Sequence, residues 1–373
     1  MNKSISLIIG ADVVPTKSNK HLFELDGNTL LDSKLKDQWL NADFRLFNLE
    51  SPITDKGSPI EKCGPGLRAS TKTINGIKTL NPSLVLLANN HIMDQGIQGL
   101  ESTITLLEKN NIPFIGVGKN INQIKHSYVI EKNGIKIAIY NCAEHEFSIA
   151  TVNSYGVNPF DPFESLDHIT ELKKHNDYVI VCYHGGKEYY PYPSPYLQKA
   201  FRKMSDKGAD IVIAQHTHCI GCEETYNNSK LIYGQGNFIF DIINNENSLL
   251  IKVVLSKEKI DIDYIPITNK KGKIEIATKN KEIIQEFLNR SEEIKDSSFV
   301  LNKYKIFAHS FLPFYLRIFK GNSFFDKVLY KISEKLFLFF FKKKNLLAIQ
   351  NFIECEAHRE LLLEGIKNES KKP

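Results

Sequence analysis

The amino-acid sequence predicts an α/β fold, because strand-like and helix-like segments alternate along the first 240 residues. Several short β-branched stretches are apolar throughout, as in Leu84–Ala88 and Ile211–Ala214, which is typical of strands buried on both faces of a sheet. Amphipathic segments lie between them, and one of these, Ser194–Lys207, ends at Gly208, a suitable helix stop. The predicted strands are Ile5–Asp12, Phe44–Glu50, Leu84–His91, Ile135–Asn141, Tyr178–His184 and Ile211–His218.

The rest of the chain has a different pattern. Three consecutive strand-like stretches with short polar turns predict an antiparallel end to the sheet, and they are Leu231–Asp241, Leu249–Leu255 and Ile260–Ile267. After Asn269 the chain is rich in lysine and helical in character. We therefore predict two parts, an α/β domain at residues 1–268 and a basic, aromatic-rich helical extension at residues 269–373.

Composition limits the classes of protein that fit. The formal net charge is +5, yet residues from Lys270 onward contain 21 Lys and Arg against 13 Asp and Glu, so the basic character belongs to the extension. Cys219 and Cys222 have the spacing of a redox or metal pair, but no second pair accompanies them and a structural zinc is not predicted.

No stretch reaches the roughly 18 apolar residues that span a bilayer. With no secretory signal recognisable, the expected location is the cytoplasm.

Oxygen and nitrogen donors follow five of the predicted strands. Parallel strands bring their carboxyl ends to one edge of a sheet, so these side chains are expected to converge although they are far apart in sequence. Each residue alone has an ordinary structural interpretation, such as a helix cap for Asp12 or a core histidine for His184. The recurrence of such donors after five strands has no comparable structural explanation. The donors are Asp12, Asn48, Glu50, Asn90, His91, His184, His216 and His218.

This set of donors predicts a centre for two divalent metal ions. Carboxylate, amide oxygen and imidazole suit manganese, iron or zinc, and the absence of thiolate from the set argues against a structural zinc site. Two such ions lower the pKa of a shared water and bind phosphoryl oxygens during in-line attack. His216 and His218 would point the same way if their segment is extended, because strand side chains repeat every two residues.

The ordered set of motifs resembles the CapA family of poly-γ-glutamate capsule biosynthesis proteins, within the metallophosphatase (calcineurin-like phosphoesterase) superfamily. The matching stretches are Ile9–Asp12, Phe47–Glu50, Leu87–His91 with Asp94 and Gly96, His184–Gly186 with Glu188 and Tyr189, Gln215–His218 and Tyr233–Asp241. The resemblance implies a four-layer αββα sandwich followed by the helical extension. It also implies six metal ligands, namely Asp12, Glu50, Asn90, His184, His216 and His218.

Individual roles also follow from the resemblance. Glu50 would take the bridging position between two metals, His91 would be the proton donor, Asn48 a polar helper, and Asn237 would shape the pocket. One departure matters: Val14 stands where the superfamily normally has a histidine two residues after the aspartate. The site is therefore expected to hold two divalent ions, or only one.

Two functions remain open at this point. The first is a hydrolase for a small-molecule or glycan phosphoester in capsule or exopolysaccharide biosynthesis, which His91 and Glu50 favour. The second is a non-catalytic, metal-binding accessory protein of a polymer synthesis or export complex, which Val14 favours. Specificity would come from the loops Lys56–Arg68 and Lys187–Ser194, and their sequences do not name a substrate.

The extension has two interpretations of its own. Residues Lys303–Lys344 combine 10 Lys and Arg and 13 Phe and Tyr with 2 acidic residues. Such a segment can lie peripherally on anionic lipid at the inner membrane face, or it can form a helical pair that packs its aromatic residues against the α/β domain with its lysines in solvent. From the sequence we favour packing. No nucleic-acid-binding module is recognisable, so nucleic acid is not an expected partner.

Overall fold

The computed structural model describes residues 4–15, 18–25, 28–240, 247–321, 323–339 and 341–369. Its strands are β1 (Ile5–Val13), β2 (Phe44–Leu49), β3 (Leu84–Leu86), β4 (Phe114–Ile115), β5 (Val117–Gly118), β6 (Ser127–Lys132), β7 (Ile135–Ala143), β8 (Gly156–Val157), β9 (Tyr178–His184), β10 (Ile211–Gln215), β11 (Glu223–Tyr226), β12 (Ser229–Ile232), β13 (Asn237–Ile239), β14 (Asn247–Leu255), β15 (Ile260–Lys270) and β16 (Lys273–Ile276).

Helices alternate with these strands and then continue to the end of the described chain. They are α1 (Lys20–Leu25), α2 (Ser33–Leu40), α3 (Ile74–Leu80), α4 (Gly96–Lys109), α5 (Glu164–His175), α6 (Pro195–Asp206), α7 (Asn280–Glu293), α8 (Ser297–Phe319), α9 (Phe324–Ile332), α10 (Glu334–Phe339), α11 (Lys343–Glu354) and α12 (Glu356–Glu369), with short 3₁₀ turns at Thr71–Thr73 and Ile121–Gln123. The predicted amphipathic helix Ser194–Lys207 is present as α6, within one residue of its predicted bounds, and α4 is a second amphipathic helix.

Within the described residues the strands form two large sheets. The first has eight strands, in the order β16-β15-β14-β1-β2-β3-β4 with β13 beside the carboxyl end of β1. Strands β1 to β4 are parallel, and β14 to β16 complete the sheet in antiparallel fashion, as predicted. The second sheet has the order β11-β12-β10-β9-β7-β6, with four parallel inner strands and antiparallel edges.

The two sheets pack face to face, with helices on both outer faces. Ile9 of the first sheet and Ile180 of the second belong to one buried cluster between the sheets. Trp39 of α2 packs on the outer face of the first sheet, and Phe201 of α6 packs on the outer face of the second. Burial of each such large apolar side chain contributes about 1.5–3 kcal/mol. The predicted α/β class and the four-layer αββα arrangement are therefore confirmed.

One predicted strand is in fact two. The stretch Leu231–Asp241 divides at Gly234 and Gly236, whose φ angles of 144° and 79° favour glycine. Its first half ends β12 in the second sheet and its second half forms β13 in the first sheet, so the segment crosses between the layers. The apolar pattern of this stretch looks continuous in the sequence, but strand pairing in the folded protein divides it between two sheets. Asp241 lies outside the described residues.

The chain divides into two compact units, residues 1–301 and residues 302–373. Helix α7 belongs to the first unit: Phe287 is buried, its ring centroid lies 4.7 Å from that of Tyr264 on β15, and the Arg290 side chain donates to the carbonyl of Gly221 at 2.8 Å. The predicted domain boundary at 268/269 stays a prediction, while the compact units divide later because α7 packs on the sheets. The second unit is entirely helical where it is described, and none of the described helices is long and apolar enough to cross a membrane.

Candidate metal centre

The carboxyl ends of parallel strands from both sheets meet at one place, and predicted site residues lie there. Asp12 is near the end of β1, Glu50 follows β2, and His184 ends β9. His216 follows β10, and its backbone amide donates to the Asp12 carboxylate at 3.1 Å. This hydrogen bond joins the first sheet to the second. Residues separated by 204 positions in sequence thus share one buried site.

Asn48 orients two of the predicted ligands. Its side-chain amide donates to Asp12 Oδ1 at 2.8 Å and lies 3.2 Å from His184 Nδ1. Its own Oδ1 accepts a hydrogen bond from Asn89 at 3.0 Å, and Asn89 also donates to the carbonyl of Leu49 at 2.9 Å. All four polar side chains are buried. Asn48 therefore contacts two predicted ligands at once, and its role as a polar helper stays a prediction.

Asn90 presents its side-chain oxygen to the same cluster. Its Oδ1 lies 3.0 Å from His184 Nε2, and its Nδ2 lies 3.4 Å from both carboxylate oxygens of Glu146. The hydroxyl of Ser148 donates to the Asn90 carbonyl at 2.6 Å and steadies the turn after β3. The amide oxygen is therefore aimed at an imidazole nitrogen that is itself a potential metal ligand.

Glu50 lies at the centre of the cluster. It is fully buried, and neither carboxylate oxygen accepts a hydrogen bond from any described residue. Its Oε1 lies 3.2 Å from His184 Nε2 and 3.9 Å from His216 Nδ1. Burial by itself would raise the pKa of Glu50, but the surrounding imidazoles hold the pKa well below its ordinary value. The same carboxylate, together with burial, raises the pKa of Asp12.

The imidazoles around Glu50 differ in charge state. Burial lowers the pKa of His184 to about 4, so this ring is neutral at physiological pH and is in the form that binds metals. At His216 burial also opposes the charged form, but Glu50, Glu144 and Glu188 outweigh it and raise the pKa to about 9. Burial lowers the pKa of His218 as well. A divalent cation would replace the proton on His216 and neutralise the same carboxylates.

His216 and His218 reach the cluster by a turn and not by an extended strand. Strand β10 ends at Gln215, and the two histidines have φ angles of 88° and 52°, in the left-handed region. The prediction that strand alternation makes both rings point the same way is therefore wrong in its geometry. The rings still come together, with centroids 5.7 Å apart, because the turn folds both toward Glu50. His218 Nδ1 lies 2.8 Å from Asn237 Oδ1, so the predicted pocket residue contacts a predicted ligand.

The donor atoms are close enough to hold cations. Asp12, Glu50 and His184 offer one atom each within 4.8 Å of one another, and so do Glu50, His216 and His218. Glu50 belongs to both groups, which is the position that a bridging ligand needs. Buried carboxylate oxygens without hydrogen-bond donors, surrounded by imidazoles, fit a divalent cation. The ligand assignments and the metal count stay predictions.

His91 occupies a separate position beside the cluster. Its Nδ1 lies 2.6 Å from Asp94 Oδ2 and 3.2 Å from Lys62 Nζ. Lys62 also forms an ion pair with Asp94, and the backbone amide of Leu67 donates to Asp94 at 2.6 Å. The Asp94 carboxylate is the nearer partner and favours the tautomer with the hydrogen on Nδ1, which would leave Nε2 as the nitrogen that exchanges a proton.

The structure adds residues to the site that the sequence analysis did not assign. Lys62 comes from the loop Lys56–Arg68, and no sequence pattern marks it, since only the folded loop brings its ammonium to Asp94. Glu144 and Glu146 form a third potential metal-binding group with His216. They follow β7, so the argument from strand carboxyl ends could have found them.

Val14 occupies the place of the missing histidine. Its side chain is buried, and it lines a cavity of about 440 Å³ that also borders Lys20, Asp55 and Arg68. The backbone amide of Val14 donates to the carbonyl of Ile239 at 2.9 Å. The valine therefore offers no metal-donor atom at the position where the resemblance implies a histidine.

A four-layer αββα sandwich thus brings buried Asp, Glu and His donors together at the carboxyl ends of its strands, an arrangement that could hold a metal ion. The chain belongs to the bacterial capsule synthesis protein PGA_cap family, whose model matches residues 7–242. It is 33% identical over 204 residues to the PGA biosynthesis protein CapA of Bacillus subtilis (strain 168), which is 54% of each chain. It is 26% identical over 284 residues to the capsule biosynthesis protein CapA of Bacillus anthracis, 73% of this chain and 69% of that one.

The match spans about half the length of the Bacillus subtilis relative. Among solved structures, a novel phosphatase from Mycoplasma pneumoniae aligns with 72% of this chain and 95% of its own, at 19% identity and a TM-score of 0.47.

Proposed function

We propose that this protein is a metal-dependent hydrolase of the phosphoesterase type that acts in capsule or exopolysaccharide biosynthesis. The observation behind the proposal is Glu50, a fully buried carboxylate whose two oxygens lack hydrogen-bond donors among the described residues and face three imidazoles. Such a carboxylate is costly to bury unless a cation binds it. Membership of the capsule synthesis family supports the biological setting.

The chemistry divides between the bound cations and the chain. When bound, divalent cations supply Lewis-acid activation of water and neutralise charge on a phosphoryl group. The chain would hold them with Asp12, Glu50, Asn90, His184, His216 and His218. Asn48 would keep Asp12 and His184 in fixed orientations through its amide, so that the ligands do not rearrange between turnovers.

His91 would supply the proton that the leaving oxygen needs. The Asp94 carboxylate fixes the ring through Nδ1, which leaves Nε2 to donate. Lys62 compensates the charge of Asp94 and anchors the loop over the ring. Asp94 and Lys62 are thus positioning residues that act through His91.

The substrate that we propose is a small-molecule or glycan phosphoester. The names of the Bacillus relatives refer to PGA and capsule biosynthesis, which supports an anionic polymer pathway as the context. A capsule-synthesis complex is the proposed partner.

A second candidate function follows from Val14. The buried valine leaves the Asp12 side of the cluster with one imidazole fewer than the superfamily pattern. A centre with a single cation would suit a non-catalytic accessory protein of the same synthesis or export machinery.

Metal content and turnover separate these functions. The purified chain, loaded with Mn²⁺, should contain two metals per chain and hydrolyse a generic aryl phosphate. His91→Ala should lower kcat by about 10²- to 10⁴-fold, as expected for loss of a general acid. His175→Ala, at an exposed position on α5, is the matched control and should leave kcat unchanged. One metal with no turnover on any ester tested would support the accessory function instead.

The substitution Val14→His gives a second test of the metal content. The cavity beside Val14 has room for an imidazole, so the substitution should fold normally. If the natural chain binds one metal, the added ligand should raise the content toward two. If the natural chain already binds two, the content should not change, and the accessory interpretation loses its support.

A further inference from the structure

The helical unit of residues 302–373 has a small core and a large exposed apolar surface. Leu316, Leu329 and Phe337 are buried together, so part of the aromatic and aliphatic set packs within the unit. Other large apolar side chains of this unit lie in solvent. The most exposed among α9 and α10 are Phe324 at 84%, Phe325 at 68%, Ile332 at 70% and Phe339 at 82%.

Helix α9 separates these two kinds of residue onto different faces. Phe324, Val328 and Ile332 are spaced four apart and therefore share one face, and Phe325 borders it. All four are exposed, whereas Leu329, one turn after Phe325 and next to that edge of the face, is buried in the core of the unit. The inner face stabilises the helical unit, and no described residue of this unit covers the apolar outer face.

Cationic side chains flank the exposed apolar face. Lys327 and Lys331 are exposed, and at 100° per residue they lie on the Phe324 edge of that face. The exposed lysines at 342–344 follow shortly after Phe339. Asp326 lies on the inner side, where Lys320 and Ser323 bind its carboxylate. The face is therefore bordered by positive charge, and the acidic residue of α9 is turned away from it.

The combination of exposed aromatic side chains and adjacent lysines indicates which kind of partner surface the outer face of α9 would bind. An apolar protein groove needs only the aromatic residues, and an acidic polymer needs only the lysines. Exposed aromatic residues beside a row of lysines match the boundary of an anionic bilayer, where rings enter the acyl region while ammonium groups remain at the phosphates.

We propose that the outer face of α9 binds the surface of a membrane that contains anionic phospholipid, with Phe324, Phe325 and Ile332 inserted at the headgroup boundary. Lys327 and Lys331, assisted by the lysines at 342–344, contact the lipid phosphates. The inference is independent of the metal centre. It makes the protein a peripheral membrane protein through its second unit, whatever reaction the first unit performs.

Sedimentation of the full chain with vesicles tests the proposal. The chain should bind vesicles of phosphatidylcholine with 30% phosphatidylglycerol, and bind pure phosphatidylcholine at least about tenfold less, since each lysine near an anionic surface accounts for about a fivefold change. Binding should weaken as salt rises. The double variant Phe324→Ser/Phe325→Ser should lose at least about tenfold in affinity. Phe163→Ser, which removes an 82% exposed phenylalanine from the first unit, should bind as the natural chain does.

The contribution of the two lysines of α9 to vesicle binding is tested separately, with its own control variant. Lys327→Gln/Lys331→Gln should weaken binding to anionic vesicles by more than tenfold, whereas Lys257→Gln/Lys281→Gln, with the same change in net charge at exposed positions of the first unit, should not. Circular dichroism should show unchanged helix content in every variant.

Other results would overturn the proposal. Equal vesicle binding by the Phe324/Phe325 variant and the Phe163 control would show that the face is not used. Self-association of the natural chain that the double variant abolishes, without vesicle binding, would assign the face to a second copy. Binding to soluble poly-γ-glutamate without binding to vesicles would assign the lysines to an acidic polymer.

Discussion

We expect a divalent metal to raise the thermal stability of the protein, and Glu50→Gln is the perturbation that tests this expectation. Glu50 belongs to both three-residue donor groups that contain the other predicted acidic and imidazole ligands. Glutamine keeps the size of the side chain but removes the charge and one of the two anionic oxygens. The substitution should therefore weaken cation binding on both sides of the cluster.

The magnitude follows from mass action. Metal at about 1,000 times its dissociation constant stabilises the folded state by about 4.1 kcal/mol. A unit of 301 residues gains about 2 °C in Tm per kcal/mol, so the natural chain should gain roughly 8 °C. Loss of a shared ligand should raise Kd at least about 100-fold, or about 2.7 kcal/mol. The same metal concentration then gives the variant about 1.4 kcal/mol, or roughly 3 °C.

Differential scanning fluorimetry with Mn²⁺, Zn²⁺ or anaerobic Fe²⁺ measures the difference, with a chelator-treated sample as the reference. The increment in Tm on addition of metal is compared within each protein, so any effect of the substitution on the stability of the metal-free fold cancels. Glu108→Gln, at an exposed position on α4, should show the full increment. An increment in Glu50→Gln equal to that of the natural chain would refute the assignment of Glu50 to the centre, and so would a natural chain that none of these metals stabilises.

Two further predictions concern single contacts. Lys62→Met should lower kcat about 10- to 100-fold with little change in KM, because the loop loses its anchor beside His91, and Lys62→Arg should restore most of the rate. Asp43→Asn should lower the free energy of unfolding by about 1–2 kcal/mol at pH 7. Burial opposes ionisation of Asp43, but hydrogen bonds from Lys132 and Ser6 outweigh it and lower its pKa. The stabilisation is therefore present above the unfolded-state pKa of about 4 and is lost as the pH falls through the lower, folded-state value.

Each of these two predictions has its own control. For Lys62, a fall in kcat that arginine does not rescue, or a change confined to KM, would contradict a positioning role. For Asp43, denaturant titrations at pH 7 and pH 2.5 should show a difference between variant and natural chain at the higher pH that shrinks at the lower pH. Asp263→Asn, at an exposed position on β15, should show no such dependence.

Much of the fold and of the candidate site follows from local patterns in the sequence. Continuous apolar runs predict the central strands because buried parallel strands need apolar side chains on both faces. Polar residues directly after those runs predict where the donors lie, since strand direction places Asp12 and Glu50 at the carboxyl edge of the first sheet and His184 at the carboxyl edge of the second. These inferences need only chain connectivity and strand direction, which a single sequence contains.

Other features depend on contacts between distant segments. The approach of His216 to Glu50 requires a left-handed turn that strand periodicity does not predict. The position of Lys62 beside His91 depends on how a loop folds over α4, and the division of Leu231–Asp241 between two sheets depends on pairing partners.

The sequence by itself therefore determined the α/β class, the residue types of the centre and the basic, aromatic character of the second unit. Only the tertiary structure decided which donor atoms lie within bonding distance of a common cation. It also decided which residues contact the predicted proton donor, and which aromatic side chains of α9 remain in solvent. The physical reason is the range of the interactions. Periodicity and strand direction are local properties, whereas ligand geometry and burial depend on side chains that are far apart in the chain.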